Sequence, residues 1–245
     1  MGAAPGRPAV ASLRDTLDAA VADGALVAFG GGELRRKPVA AARELVALGR
    51  RDLRVAALLG SAEVEVMLGG GAAEVHSAGV MLLGLAPRWR EARQTGSARV
   101  VEWSEGTFLA ALQGAALGAD SLLWPAGVDT DLPAVNPWLK EAADPWSGAP
   151  VLAVRALVPD VAIIHAHGVD EEGNVYIDDD LVADELLARA ARRVVVTYER
   201  EVPVERERAA ISRLFVDDAV EAPGGAAPTA MPGLYGVDRD ALGEI

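Results

Sequence analysis

Three short stretches of this sequence carry residues able to do chemistry, and each has a plainer reading beside it. Gly30-Gly31-Gly32 is followed by Arg35, Arg36 and Lys37. Backbone N–H groups in such a turn can seat a phosphate or a thioester, and the cations would hold an anionic ligand. The pattern is not the dinucleotide fingerprint, because Arg35 stands where its third glycine belongs. No Gly-Lys-Ser/Thr follows any glycine run, so a Walker loop is absent as well. The alternative is a tight turn and nothing more. Ser104-Glu105-Gly106 offers a hydroxyl and a carboxylate, but Glu102 occupies the place where a nucleophile elbow needs glycine, which argues against a serine hydrolase. Glu105 can act as base or nucleophile if partly buried; otherwise it is a helix-start carboxylate favoured by the helix dipole, the reading its position alone prefers. His165-Ala166-His167 puts two imidazoles on one strand face near Asp170, the beginning of a metal site. His76 is the only other histidine, so ligands are short, no metal is expected, and strand-end histidines hydrogen-bonded to backbone are the simpler expectation. Asp178-Asp179-Asp180 lacks the spacing of a calcium loop and is expected to be a solvated turn.

The elements that would position these residues follow from local pattern. Leu26-Val27-Ala28-Phe29 is an apolar run that stops at the glycines, and Pro38 opens a periodic segment carrying Leu45, Val46 and Leu48 that closes at Gly49. Glycine tolerates any φ, whereas proline pre-sets helical φ and gives up an N–H that a helix start does not use, so strand, loop and helix follow one another. Ligands of open α/β sheets lie beyond the carboxyl ends of strands, which makes Gly30, Gly31, Gly32, Arg36 and Lys37 the first candidate binding residues. Ser104 and Glu105 occupy the same kind of place, between a strand expected at 99–103 and a helix expected at 107–117.

Along the rest of the chain, residues 1–8 read as a loose tail and 9–245 as a single α/β domain. Ser12 and Asp15 fit a capping box at the start of a helix ended by Gly24. Residues 53–59 read as a strand buried on both faces, 62–68 as a brief helix, 73–76 as a short strand, and 87–94 as a helix after a loop through Gly79 and Gly84. This alternation predicts an α/β fold with an open, mainly parallel, doubly wound sheet. Between Pro125 and Pro150 five prolines exclude regular structure, while Trp138 and Trp146 favour burial, so an ordered excursion is expected there. Strands return at 151–157, 161–165, 175–177 and 194–198, a helix at 184–192, and a surface tail from 219.

A hydrophobic content of 51% suits a globular protein, and a net charge of −13 with a pI near 4.7 weighs against nucleic acid as the main partner. The longest apolar region, 108–119, is too short to cross a bilayer. With no cysteine for disulfides and no signal pattern at the amino terminus, a cytoplasmic protein is expected.

The order of these signals resembles the A subunit of the family I CoA-transferases, of the glutaconate CoA-transferase type. The similarity runs through Asp23-Gly24 to Arg43 with its glycines and Arg36-Lys37-Pro38, then Gly84-Leu85-Ala86-Pro87-Arg88-Trp89-Arg90 and Glu102-Trp103-Ser104-Glu105. It continues in Pro159-Asp160-Val161-Ala162-Ile163-Ile164-His165, Asp170-Glu171-Glu172-Gly173-Asn174-Val175 and Ala222-Pro223-Gly224-Gly225-Ala226-Ala227-Pro228. The resemblance implies the open α/β fold shared with sugar-phosphate isomerases, no cofactor besides the coenzyme A thioester substrate, and a homologous B subunit, commonly in an α2β2 assembly. In such transferases a glutamate, usually in the B subunit, attacks the acyl-CoA to form an anhydride and then a glutamyl-CoA thioester. This chain would contribute glycine-loop and pocket residues: Gly30, Gly31, Gly32, Arg36, Lys37 and Ser104. Relatives of the same fold act as CoA-thioester hydrolases or decarboxylases, for which Glu105 would be the base; a subunit that only binds the ligand is the third alternative. Many A subunits carry Arg-Ser after the proline equivalent to Pro125, whereas Ala126-Gly127 follow here, so that carboxylate clamp is missing. The triglycine bend and the Ser104–Gly106 corner are expected to line one cleft completed by a second polypeptide.

Overall fold

The computed structural model describes residues 12–80 and 86–245; the tail expected at 1–8 and Gly84 of the expected loop lie outside the described residues. Strands β1 (Leu26–Phe29), β2 (Arg54–Gly60), β3 (Glu74–Val80) and β4 (Arg99–Glu102) alternate with helices α1 (Leu13–Ala20), α2 (Val39–Ala47), α3 (Ala62–Gly69), α4 (Pro87–Thr95) and α5 (Glu105–Ala116). After a small lobe holding β5 (Ser121–Trp124), α6 (Leu132–Val135), β6 (Leu139–Ala143) and β7 (Pro150–Arg155), the chain re-enters the main sheet as β8 (Val161–Val169). β9 (Val175–Tyr176), α7 (Asp184–Ala190), β10 (Val194–Glu201), β11 (Asp218–Glu221) and α8 (Arg239–Leu242) complete it.

The main sheet runs β11-β10-β8-β1-β2-β3-β4, all parallel along that path, with β9 antiparallel on β8. Strands at its centre are apolar on both faces because helices cover both. Leu26 and Ala28 of β1 face one core cluster, with Phe108 and Leu112 of α5 and Leu187 of α7, while Val27 and Phe29 face the other, with Leu17, Leu45 and Trp89. Every residue of β8 is buried. The strand order reverses between β1 and β8, so the triglycine bend sits at the topological switch point, where such sheets usually bind ligands.

Several expectations are corrected. The stretch from Pro125 to Pro150 is not devoid of regular structure: it holds α6 and β6, and β7 pairs antiparallel with both β5 and β6 in a separate three-stranded sheet instead of joining the parallel one. Two of its five prolines stand where a missing N–H is harmless, Pro133 in the first turn of α6 and Pro150 at the first position of β7. Trp138 is half-buried, but Trp146 at the tip of the β6–β7 hairpin is 90% exposed. Nor is the carboxyl-terminal segment a surface tail. β11 extends the main sheet, and Ala226, Thr229 and Met231 are fully buried because Gly225 and Ala230 accept from the N–H groups of Ala40 and Arg36. Pro38 precedes α2 as its N-cap, one position earlier than expected.

Candidate functional site

At the switch point the chain itself fills the glycine bend. Gly30 N–H donates to the Ile163 carbonyl at 2.9 Å, Gly31 N–H to Asp184 Oδ1 at 2.7 Å and Gly32 N–H to the Arg35 carbonyl at 3.1 Å. All three donors expected to cradle a phosphate or thioester are therefore used. Glycine is required for a different reason. A Cβ on Gly30 would lie 2.2 Å from Asp184 Oδ1, and one on Gly31, whose φ is +76°, would lie 2.6 Å from the carbonyl oxygens of Arg35 and Arg36. The cations are equally committed. Arg36 is fully buried, donating from Nη1 to Asp184 Oδ2 at 2.5 Å, from Nε to Asp179 Oδ2 at 3.1 Å and from Nη2 to the Asp180 carbonyl. Lys37, also fully buried, reaches the carbonyls of Gly31 and Leu59 at 3.1 and 2.6 Å and Glu63 Oε1 at 3.1 Å. Asp179 thus belongs to an ion-pair cluster and not to a solvated turn; burial pushes its carboxyl up, but the Asp180 N–H and the arginines hold it below the ordinary range.

The second corner lies at the same end of the sheet but not in the same place. β4 is the edge strand, separated from β1 by β2 and β3, so three strand spacings, roughly 14 Å, lie between the two bends. Here Ser104 is the N-cap of α5: its Oγ accepts from Thr107 N–H at 3.2 Å, and Thr107 Oγ1 accepts in return from Ser104 N–H at 3.1 Å. That hydroxyl is held by the helix start. Glu105 follows as the first helical residue, exposed, its side chain without a hydrogen bond or ion pair among the described residues. Beside it the edge of Trp124 presses on Gly106, where a Cβ would be 2.5 Å from Cζ2. Beneath it, Trp103 Nε1–H donates to His76 Nδ1 at 3.2 Å, His76 Nε2 pairs with Glu74 Oε1 at 2.6 Å, and the buried Asn136 amide donates to the Glu102 carbonyl at 2.8 Å. Sequence pattern does not place Trp124, His76 or Asn136 at this corner; a glycine in the first turn of a helix, where it costs stability, is the one signal of close packing.

The histidines of β8 have no lone pair left for a metal. His165 Nδ1 pairs with Thr197 Oγ1 at 2.8 Å and Nε2 with Glu199 Oε1 at 2.9 Å; His167 Nε2 donates to the Pro232 carbonyl at 2.9 Å and Nδ1 accepts from Asp178 N–H at 3.1 Å. Among the described residues no group of three or more potential ligands is placed to hold an ion. Asp170 is saturated by Glu172 and Asn174 N–H, the Asn174 amide and the Tyr176 hydroxyl. A concavity of about 550 Å³ is lined by Arg43, Val46, Arg88 and Glu244 and contains neither glycine bend nor Glu105. No helix among the described residues is long and apolar enough to cross a membrane.

Residues 10–222 match the family described as Coenzyme A transferase. The chain belongs to that family. An uncharacterised protein of Archaeoglobus fulgidus is 34% identical over 95% of this chain, which spans only 54% of that relative's length. The crystal structure of a variant of the decarboxylase AibA/AibB superposes with a TM-score of 0.87 at 34% identity, covering 96% of this chain and 90% of that one. Glutaconate CoA-transferase of Acidaminococcus fermentans superposes with a TM-score of 0.86 at 27% identity over 96% and 82% of the two chains, and the relative matched in sequence is its A subunit. This member of the Coenzyme A transferase family therefore has the open, mainly parallel α/β sheet of those structures.

Proposed function

We propose that this chain is the A subunit of a heteromeric enzyme acting on acyl-CoA thioesters, moving CoA from an acyl-CoA to a carboxylic acid, with the nucleophilic glutamate on a homologous B subunit. The observation that carries the proposal is the contrast between the two bends. The glycine bend, with Arg36 and Lys37, is closed on itself and shapes the switch point, whereas Glu105 stands exposed at a strand end beside an indole wall, unpaired among the described residues. A carboxylate in that setting is open to water on one side, so it becomes a chemical site only when another surface excludes solvent and supplies the remaining groups. The matched A subunit of glutaconate CoA-transferase and the two-component name AibA/AibB support a second polypeptide as that surface; the α2β2 stoichiometry is part of the proposal.

A second reading makes Glu105 the general base of thioester hydrolysis or of C–C bond cleavage. It is favoured by the same free carboxylate and by the likeness to a decarboxylase. The two readings differ in products and in covalent state. Incubated with an acyl-CoA and acetate, a transferase complex yields acetyl-CoA and carries a CoA adduct on its B subunit, visible as a mass increase of the intact polypeptide. A hydrolase or decarboxylase yields free CoA or carbon dioxide and no adduct. Acyl-CoA consumed with no acetyl-CoA formed and neither polypeptide modified would overturn the transferase reading and leave the second.

A further inference from the structure

We propose that His76 is a positioning residue for Glu105: its imidazole, locked in one neutral tautomer, fixes the Trp103 indole and through it the direction of the β4–α5 corner. The inference rests on the reading of Glu105 given above. Tryptophan Nε1–H can only donate, so His76 Nδ1, 3.2 Å away, must accept and carries no proton. The hydrogen of the neutral ring is then on Nε2, where it donates to Glu74 Oε1 at 2.6 Å. Glu74 is kept charged for that role: the His76 hydrogen bond holds its carboxyl below the ordinary range against the opposing effect of burial, with Arg99 and Arg54 assisting. The series Arg99–Glu74–His76–Trp103, an ion pair followed by two hydrogen bonds, is thus a strut running inward from the surface of β3 and β4, and His76 within it is fully buried.

Trp103 passes this constraint to α5. Its ring meets Phe108 edge-on at 5.8 Å and 84°, and Phe108 is one helical turn beyond Glu105. Trp138 of the small lobe closes the other side, 6.1 Å from Trp103 and edge-on to His76 at 5.3 Å, with Arg155 stacked on its ring at 4.9 Å. Asn136 ties the same lobe to the corner by accepting from Trp138 N–H while donating to the Glu102 carbonyl. Apolar residues at 76 and 103 would fill the space without burying polar atoms. What the hydrogen bonds add is orientation of the free carboxylate at this end of β4. A proton on Nδ1 would face the Trp103 N–H and loosen the corner.

The test is a double-mutant cycle in the enzyme assembled with its partner, read as turnover of an acyl-CoA. His76→Phe keeps the shape and removes both hydrogen bonds; His76→Asn keeps an acceptor where Nδ1 was; Trp103→Phe removes the donor. A carboxylate displaced by a fraction of an ångström to about 1 Å predicts a kcat loss of roughly ten- to a hundredfold for H76F and W103F, with KM changed less than about twofold. H76N restores most of the activity, and H76F has no further effect in the E105Q background. Multiplying effects of H76F and E105Q, or loss of Trp103 indole hydrogen-exchange protection in H76F with kcat unchanged, would overturn the positioning role while leaving Glu105 in place. Unchanged turnover in E105Q overturns the reading of Glu105 itself and this proposal with it. If H76F fails to fold, H76N and W103F decide by the same cycle.

Discussion

Asp184→Ala should destabilise the fold far more than it alters any ligand contact, because Asp184 is the resident anion of the glycine bend. Its two oxygens accept from Gly31 N–H and Arg36 Nη1, and both ionic side chains have zero exposure. Removing one member of a buried ion pair costs about 3–5 kcal/mol, and because Asp179 remains on Arg36 the loss falls toward the lower end of that range. Asp184→Asn keeps an acceptor for Gly31 and loses the charge, so the cost falls to roughly 1.5–3 kcal/mol, the worth of a hydrogen bond to a charged group. Against a total stability on the order of 5–15 kcal/mol, the alanine variant sits near the edge of folding. Urea denaturation measures this as a lowered midpoint with unchanged slope. The vacated seat should also accept a small carboxylate: acetate at about one hundred times its dissociation constant would return roughly 2.7 kcal/mol to D184A. An alanine variant within about 1 kcal/mol of the parent, or one insensitive to acetate relative to chloride, would refute the claim that this bend is a self-filled structural site.

Gly31→Ala should cost about 3 kcal/mol or more, combining positive-φ strain with contact at 2.6 Å to two carbonyl oxygens, whereas Gly71→Ala, with φ +84° and nothing within 4 Å, should cost only about 1–2 kcal/mol; equal urea midpoints would contradict this. Glu199 governs acid stability: burial pushes its carboxyl up from 4.5, but His165, the Tyr235 hydroxyl and Gly224 N–H overcome this and bring it to about 2. Because the unfolded chain binds the proton more readily, the contribution is complete above about pH 4.5 and is lost as pH falls toward 2, so Glu199→Gln should flatten the fall in urea midpoint across that window, and parallel slopes for both proteins would argue against it.

The parallel sheet is legible in the sequence because its signals are local. The apolar run of β1 stops at glycine, α1 starts with a capping residue, and the alternation of short buried strands with helices allows few other topologies. What the sequence conceals is what comes from afar. Asp184 stands 153 positions from the glycine whose N–H it takes, so the bend reads as an open cradle when taken alone. The small sheet is hidden by prolines that look like breakers and in fact sit in a first helical turn and at a strand start. The glycine- and proline-rich segment after β11 looks solvent-facing by composition, yet its carbonyls serve Ala40 and Arg36. Glu105 stands out by position with Trp103 beside it, but Trp124, His76 and Asn136 come from separate elements, and only tertiary packing brings their side chains to this corner.

The chemistry proposed for this chain is best tested by steady-state turnover of an acyl-CoA with the chain alone, with the chain assembled with the proposed second polypeptide, and with the Glu105→Gln variant in that assembly. No turnover by the chain alone and turnover by the assembly are expected, and if Glu105 is the general base its replacement lowers turnover about 10²–10⁴-fold, the range for a positioned acid–base group. Turnover by this chain without a partner would overturn the two-polypeptide reading, whereas an assembly indifferent to the replacement would dismiss Glu105 as a base.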